Sequence, residues 1–214
     1  MLKTKILAGP ITNLTDARYF AAREAEWLLF DFDPGSENYL EPRAMSAIRE
    51  WVDGVKVIGA FQLEEAYEIR EAVKNLQLDA VYLGMLTSIE TVIDLQVSVP
   101  IFKEIVIEDT TQPEDLMSML TTWQPFVPFF VLNFTKNNST WAMLKEGNPL
   151  SLGFLTKLCE KNSLMFSIDL QPKVLIDMMN MLPLYGFCVK GGGEEKIGYK
   201  SFEELDEIFD LLES

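Results

Sequence analysis

The chain has 214 residues, 48% of them hydrophobic, and carries 33 acidic against 18 basic side chains for a net charge of −15. Nucleic acid and anionic membrane surfaces require clustered positive charge, so both are excluded as partners, and a small anionic metabolite would need a locally positive pocket. Histidine is absent, which removes the commonest general base and the commonest transition-metal ligand and leaves carboxylates, lysine, cysteine and tyrosine for acid–base work.

Apolar, strand-like stretches occur at 3–9, 26–32, 55–61, 78–84, 100–105, 127–134, 164–169 and 185–189, and each leads into a helical pattern. Strict alternation of this kind predicts parallel strands with helical crossovers, and eight units predict closure into a single (β/α)₈ barrel spanning 1–214. In that fold the active site lies on the rim where strands end and helices begin. The runner-up is a doubly wound open sheet.

The helices can be read one by one. Ala66, Ile69, Val73 and Leu76 form one stripe after the third strand. Thr111, Gln112, Pro113 and Glu114 read as a cap leading to Leu116, Leu120 and Trp123. The sixth strand is followed by the longest connection, 133–150, polar and poor in helix signals. Its place on the rim suggests a lid, with a disordered or partner-binding loop as the alternative. Pro172 starts a helix whose Leu175, Met178, Met179 and Leu182 share one face, and the methionines are read as core filler. Ser201 and Glu204 form a capping box ahead of Leu205, Ile208, Phe209 and Leu212.

Cys159 and Cys188 are too few for a disulfide framework and lack CxxC spacing. The first residues hold no apolar stretch resembling a signal peptide, and a cytoplasmic protein is expected. Strand-end groups on the rim are the candidates for chemistry: Asp31 and Asp33, Lys103 and Glu104, and Asp169. Each could equally cap a helix or form an ion pair. After the eighth strand, Lys190, Gly191, Gly192 and Gly193 stand where barrels commonly hold phosphate, with backbone amides free to converge and one ammonium beside them. A turn that needs positive φ is the competing account of those glycines.

Residues 5–18, from Lys5-Ile6-Leu7-Ala8-Gly9-Pro10-Ile11-Thr12 to Asp16-Ala17-Arg18, resemble the start of phosphoribosylanthranilate isomerase, which opens Lys-Ile-Cys-Gly-Ile-Thr. The stretch from Tyr185 through Gly192, Glu194, Gly198 and Lys200 resembles its end. The resemblance implies a (β/α)₈ barrel in tryptophan biosynthesis that performs an Amadori rearrangement, an intramolecular aldose–ketose isomerisation, without cofactor or metal, as a monomer or homodimer. It also implies that the family's base, a strand 1 cysteine, falls at Leu7 or Ala8, and that its acid, a strand 6 aspartate, falls at Asn133. Neither replacement can move a proton. The family's substrate-binding arginine after strand 2 corresponds to Asn38, and its glycine-rich strand 7 phosphate loop to Ser167, Ile168, Asp169 and Leu170. The expectation is a pseudoenzyme that at most binds a small anionic or phosphorylated ligand through Asn38, Lys190 and the glycines. The alternatives are a working isomerase with Asp31 or Asp169 in relocated roles, and a non-enzymatic interaction protein on a barrel scaffold.

Overall fold

The computed structural model describes residues 2–191, 194–196 and 199–213. Eight parallel strands close into a barrel in sequential order, with β1 hydrogen-bonded to β8. The strands are β1 (Lys5–Ala8), β2 (Trp27–Asp31), β3 (Lys56–Phe61), β4 (Ala80–Leu83), β5 (Ile101–Val106), β6 (Phe129–Asn133), β7 (Ser163–Ser167) and β8 (Gly186–Val189). Around them run α1 (Leu14–Ala22), α2 (Pro42–Arg49), α3 (Ala66–Leu76), α4 (Ile89–Leu95), α5 (Pro113–Trp123), α6 (Trp141–Lys145), α7 (Leu152–Lys161), α8 (Pro172–Met181) and α9 (Glu203–Glu213). The short antiparallel pair β9 (Glu194–Lys196) and β10 (Tyr199–Lys200) stands between β8 and α9. All eight expected strands are present, and the barrel rather than the open sheet is the fold.

Side chains alternate along each strand, so one set fills the barrel and the next packs under the helices. The lower interior is aromatic. Trp27 meets Phe102 edge-on at 5.2 Å, Phe102 stacks on Phe129 at 4.6 Å, and Phe129 lies 5.1 Å from Tyr185. Leu7, Leu29, Ile58, Val131 and Met165 complete that plug. The larger outer core, between strands and helices, includes Ala8, Phe30, Phe130, Phe166, Met178 and Phe209. Met178 is fully buried and packs as core, whereas Met181 on the same helix is exposed.

Two expectations about local structure are corrected. Thr111 does not cap α5. The helix starts at Pro113 after Gln112, and the Thr111 hydroxyl instead accepts the Glu108 amide at 2.8 Å, tightening the turn before the helix. Nor is 133–150 a loose lid. It holds a 3₁₀ turn (Thr135–Asn137) and α6, whose N-cap Thr140 accepts the Met143 amide. Trp141, Leu144 and Leu150 are buried in the outer core, so the segment is anchored by apolar area.

Candidate active site at the C-terminal rim

The same alternation that puts Trp27, Phe102, Phe129 and Met165 at the bottom puts Asp31, Asn133 and Ser167 at the strand ends above them, and Glu104 inward from the upper half of β5. Tyr82 of β4 and Cys188 of β8 pack against this inner cluster. The interior is thus apolar below and polar at the mouth.

Glu104 is the centre of the mouth and is only 3% exposed. Its Oε1 accepts the Asn133 side-chain amide at 2.7 Å, and its Oε2 accepts the Lys136 ammonium at 2.8 Å. Burial, and then the neighbouring Glu104 charge, push the Tyr82 phenol well above its ordinary pKa. Burial likewise pushes up the Cys188 thiol, again with Glu104 adding to the effect. Both groups therefore stay protonated near neutral pH.

Asn133 is held on every side. While its Nδ2 donates to Glu104, its Oδ1 accepts the Thr135 amide at 3.0 Å, the Thr135 hydroxyl at 2.8 Å and the Lys136 amide at 3.2 Å. These bonds build the 3₁₀ turn and aim Lys136 back at Glu104. A buried carboxylate is tolerable here because a cation and a side-chain amide donor meet it.

The candidates read from the sequence separate by position. Of the two possible sites for a strand 1 base, Leu7 faces the barrel interior and Ala8 faces the helix layer. Asp31 accepts the Asp33 amide at 3.0 Å, and Asp33 accepts the Gly35 amide at 2.9 Å, so both carboxylates shape the β2–α2 turn. Asn38 sits on that same turn, where its backbone amide donates to the Ser36 hydroxyl. Lys103 points away from Glu104 into the helix layer and is 2% exposed. Its ammonium donates to the Gly84 and Thr87 carbonyls and lies 4.6 Å from the Trp123 ring centre. Period-2 alternation around Phe102 would have sorted Lys103 from Glu104. Lys136 carried no comparable signal, because the turn that aims it is made by Asn133.

A cavity of about 580 Å³ opens between the ends of β7 and β8 and the start of α9. Thr135, Ser167 and Cys188 face it from the barrel, and Lys190 and Gly191 from the strand 8 loop. Asp169, Glu203 and Glu204 also line it, so its one described cation is outnumbered by carboxylates. Asn38 is not among the lining residues. Gly191 has a structural reason to be glycine: a Cβ there would lie 2.5 Å from the Asp16 carboxylate. Asp16 is 2% exposed and bridges Lys200 at 2.5 Å and the Asn13 amide at 2.8 Å. Gly192 and Gly193 lie outside the described residues. Among the described residues, no cluster of acidic or sulfur side chains could hold a metal ion, and no helix is long and apolar enough to cross a membrane.

No protein-family profile matches the chain, and no curated protein does. Solved structures match it over nearly its whole length. One presents monomers of the dimeric phosphoribosylanthranilate isomerase of Thermotoga maritima, at 20% identity over 98% of each chain and a TM-score of 0.76. The enzyme of Thermus thermophilus gives 22% identity, 98% of each chain and a TM-score of 0.75. The chain has the fold of phosphoribosylanthranilate isomerases. A 3-keto-L-gulonate-6-phosphate decarboxylase of Vibrio cholerae aligns over 99% of each chain with 13% identity and a lower TM-score of 0.63. The likeness to the isomerases is thus closer than that to this second barrel enzyme, and it agrees with the motifs at both ends of the sequence.

Proposed function

We propose that this chain is a phosphoribosylanthranilate isomerase-like barrel that no longer performs the Amadori rearrangement, and that it holds a small polar ligand in the cavity beside Lys190 and Gly191. One observation carries the first half. Asn133 stands at the strand 6 end, where the resemblance puts the acid, and its side chain is tied within the protein by four hydrogen bonds. An amide cannot deliver a proton, and Leu7, at the inward strand 1 position, cannot accept one. Each missing acid or base removes roughly 10²–10⁴ in rate.

The lining of the cavity defines the ligand. Lys190 and nearby backbone amides favour an anionic group. Asp169, Glu203 and Glu204 oppose a second negative charge. The first turn of α9 also carries its own carboxylates, which already compensate the positive end of that helix. A monoanionic or neutral hydroxylated molecule fits this balance better than a phosphate dianion.

Complementation of a tryptophan auxotroph lacking the isomerase tests the first half. No growth is expected from the wild type, nor from the Leu7→Cys, Asn133→Asp double variant. Growth at near wild-type rate would refute the reading. Thermal protection tests the second half. A monoanionic sugar acid should raise the melting temperature more than chloride at matched ionic strength, and the difference should disappear in Lys190→Glu. Equal protection by chloride would reduce the loop to a turn.

The rival reading of a working isomerase has one feature in its favour, a buried carboxylate at the barrel axis. Glu104 is already met by Asn133 and Lys136, and its neighbours Tyr82 and Cys188 hold their protons. The group braces the mouth instead of serving it.

A further inference from the structure

One arc of the rim is acidic. The segments following β2, β3, β4 and β5 (31–42, 62–69, 84–93 and 107–118) carry aspartate and glutamate, and their nearest cations are Arg43 and Arg70 just inside α2 and α3. The connections after β6, β7 and β8 instead mix Lys136, Lys145, Lys173, Lys190 and Lys200 with Glu146, Asp169, Glu194 and Glu195. Within the acidic arc stand large apolar side chains open to water: Leu63 at 73% exposure, Leu86 at 60%, Tyr67 at 59% and Met85 at 49%. A single exposed leucine is ordinary, but these four belong to two neighbouring connections.

Those connections are fastened together. The Thr87 hydroxyl donates to the Gln62 carbonyl at 3.0 Å. The Gln62 side chain lies directly over Gly84, where a Cβ would come within 1.8 Å of it. From beneath, the buried Lys103 ammonium donates to the carbonyls of Gly84 and Thr87 on either side of Met85 and Leu86. The apolar groups are thus presented on a braced platform, which lowers the ordering cost of binding.

We propose that the β3–α3 and β4–α4 connections dock a basic, amphipathic segment of another protein. Its apolar face rests on Leu63, Tyr67, Met85 and Leu86, and its lysines or arginines lie among the surrounding carboxylates. Charge complementarity selects this occupant. A second copy brings another net −15 to an acidic surface, and a polyanion is repelled. A neutral polar partner would leave the apolar groups unmatched. The surface is independent of the cavity at β7 and β8.

The probe is a synthetic leucine–lysine helix with its leucines on one face, measured by isothermal titration against a scrambled peptide of equal composition. The amphipathic peptide should bind at least about tenfold more tightly than the scrambled one. Leu63→Ser with Leu86→Ser should remove that preference while leaving the melting temperature unchanged, since both side chains are exposed. Glu37→Lys with Glu90→Lys should weaken binding more than the control pair Glu160→Lys with Glu207→Lys on the far side. Equal binding of the two peptides, or equal loss from both reversal pairs, would overturn the proposal by showing attraction to net charge alone. Sedimentation showing a dimer that the serine pair dissociates would overturn it in favour of a second copy.

Discussion

Replacing Asn133 by Asp tests the locked mouth most directly. The substitution is nearly isosteric, so packing is preserved and the change is electrostatic. It puts a second carboxylate where an amide now donates to Glu104 at 2.7 Å. Two ionised carboxylates at that distance repel by about 6 kcal/mol at an effective dielectric near 20. The protein avoids this by keeping one proton on the pair. Holding a proton at pH 7 on a group of ordinary pKa about 3.9 costs at most about 4 kcal/mol. The sign follows from linkage. Between about pH 4 and 7 the folded variant binds more protons than the unfolded chain, so its stability relative to wild type falls as pH rises, by at most about 1.4 kcal/mol per unit. For a domain of this size that is a melting temperature lower by about 8–16 °C at pH 7, converging on wild type near pH 4. Urea or thermal unfolding of both proteins across that range measures it. A deficit that does not change with pH, or none at pH 7, would refute the argument that Asn133 and Glu104 share one buried network.

Lys103 gives the opposite pH signature. Burial brings its ammonium down from 10.5 to about 8 in spite of the nearby Glu104 charge. Above pH 8 the unfolded chain binds this proton more strongly than the folded one, so wild type should gain on Lys103→Met by about 3 kcal/mol in total between about pH 8 and 10. A difference in unfolding free energy that stays flat over that range would contradict the buried position. The thiols give a further check. Burial pushes Cys159 up to about 12 and Cys188 higher still, so neither should react with a thiol reagent at pH 8 until the chain is unfolded in urea. Prompt labelling of native Cys188 would mean that a thiolate is available at the cavity wall.

The barrel was legible in the sequence because parallel strands covered on both faces read as continuous apolar runs, and these recur with helices between them. The site was legible only in part. Asn133 and Asp169 could be placed near strand ends by counting and strand 1 was left open between Leu7 and Ala8, whereas the engagement of Asn133 depends on Glu104 reaching across from a neighbouring strand and on a 3₁₀ turn no pattern announces. The connection 133–150 was misread because α6 has only five residues, too few for a periodic signal, although its Trp141 and Leu144 are buried. Lys103 and Glu104 look alike in the sequence as adjacent charges on a strand. Alternation sends one to the helix layer and the other to the barrel axis, and this separates a brace beneath the rim from the keystone of the mouth.

Glu104 and Asn133 also constrain one another. A buried carboxylate in the upper half of β5 is costly unless donors meet it, and Asn133 supplies one donor directly and a second by fixing the turn that carries Lys136. An aspartate at 133 would withdraw the first donor and add a like charge, so the strand 6 acid and Glu104 cannot coexist without a bound proton between them. The residues at 104 and 133 are therefore one linked pair. In Asn133→Asp the new acid would be hydrogen-bonded to Glu104 and not to a ligand. Freeing that acid to face the cavity would require the removal of Glu104 as well.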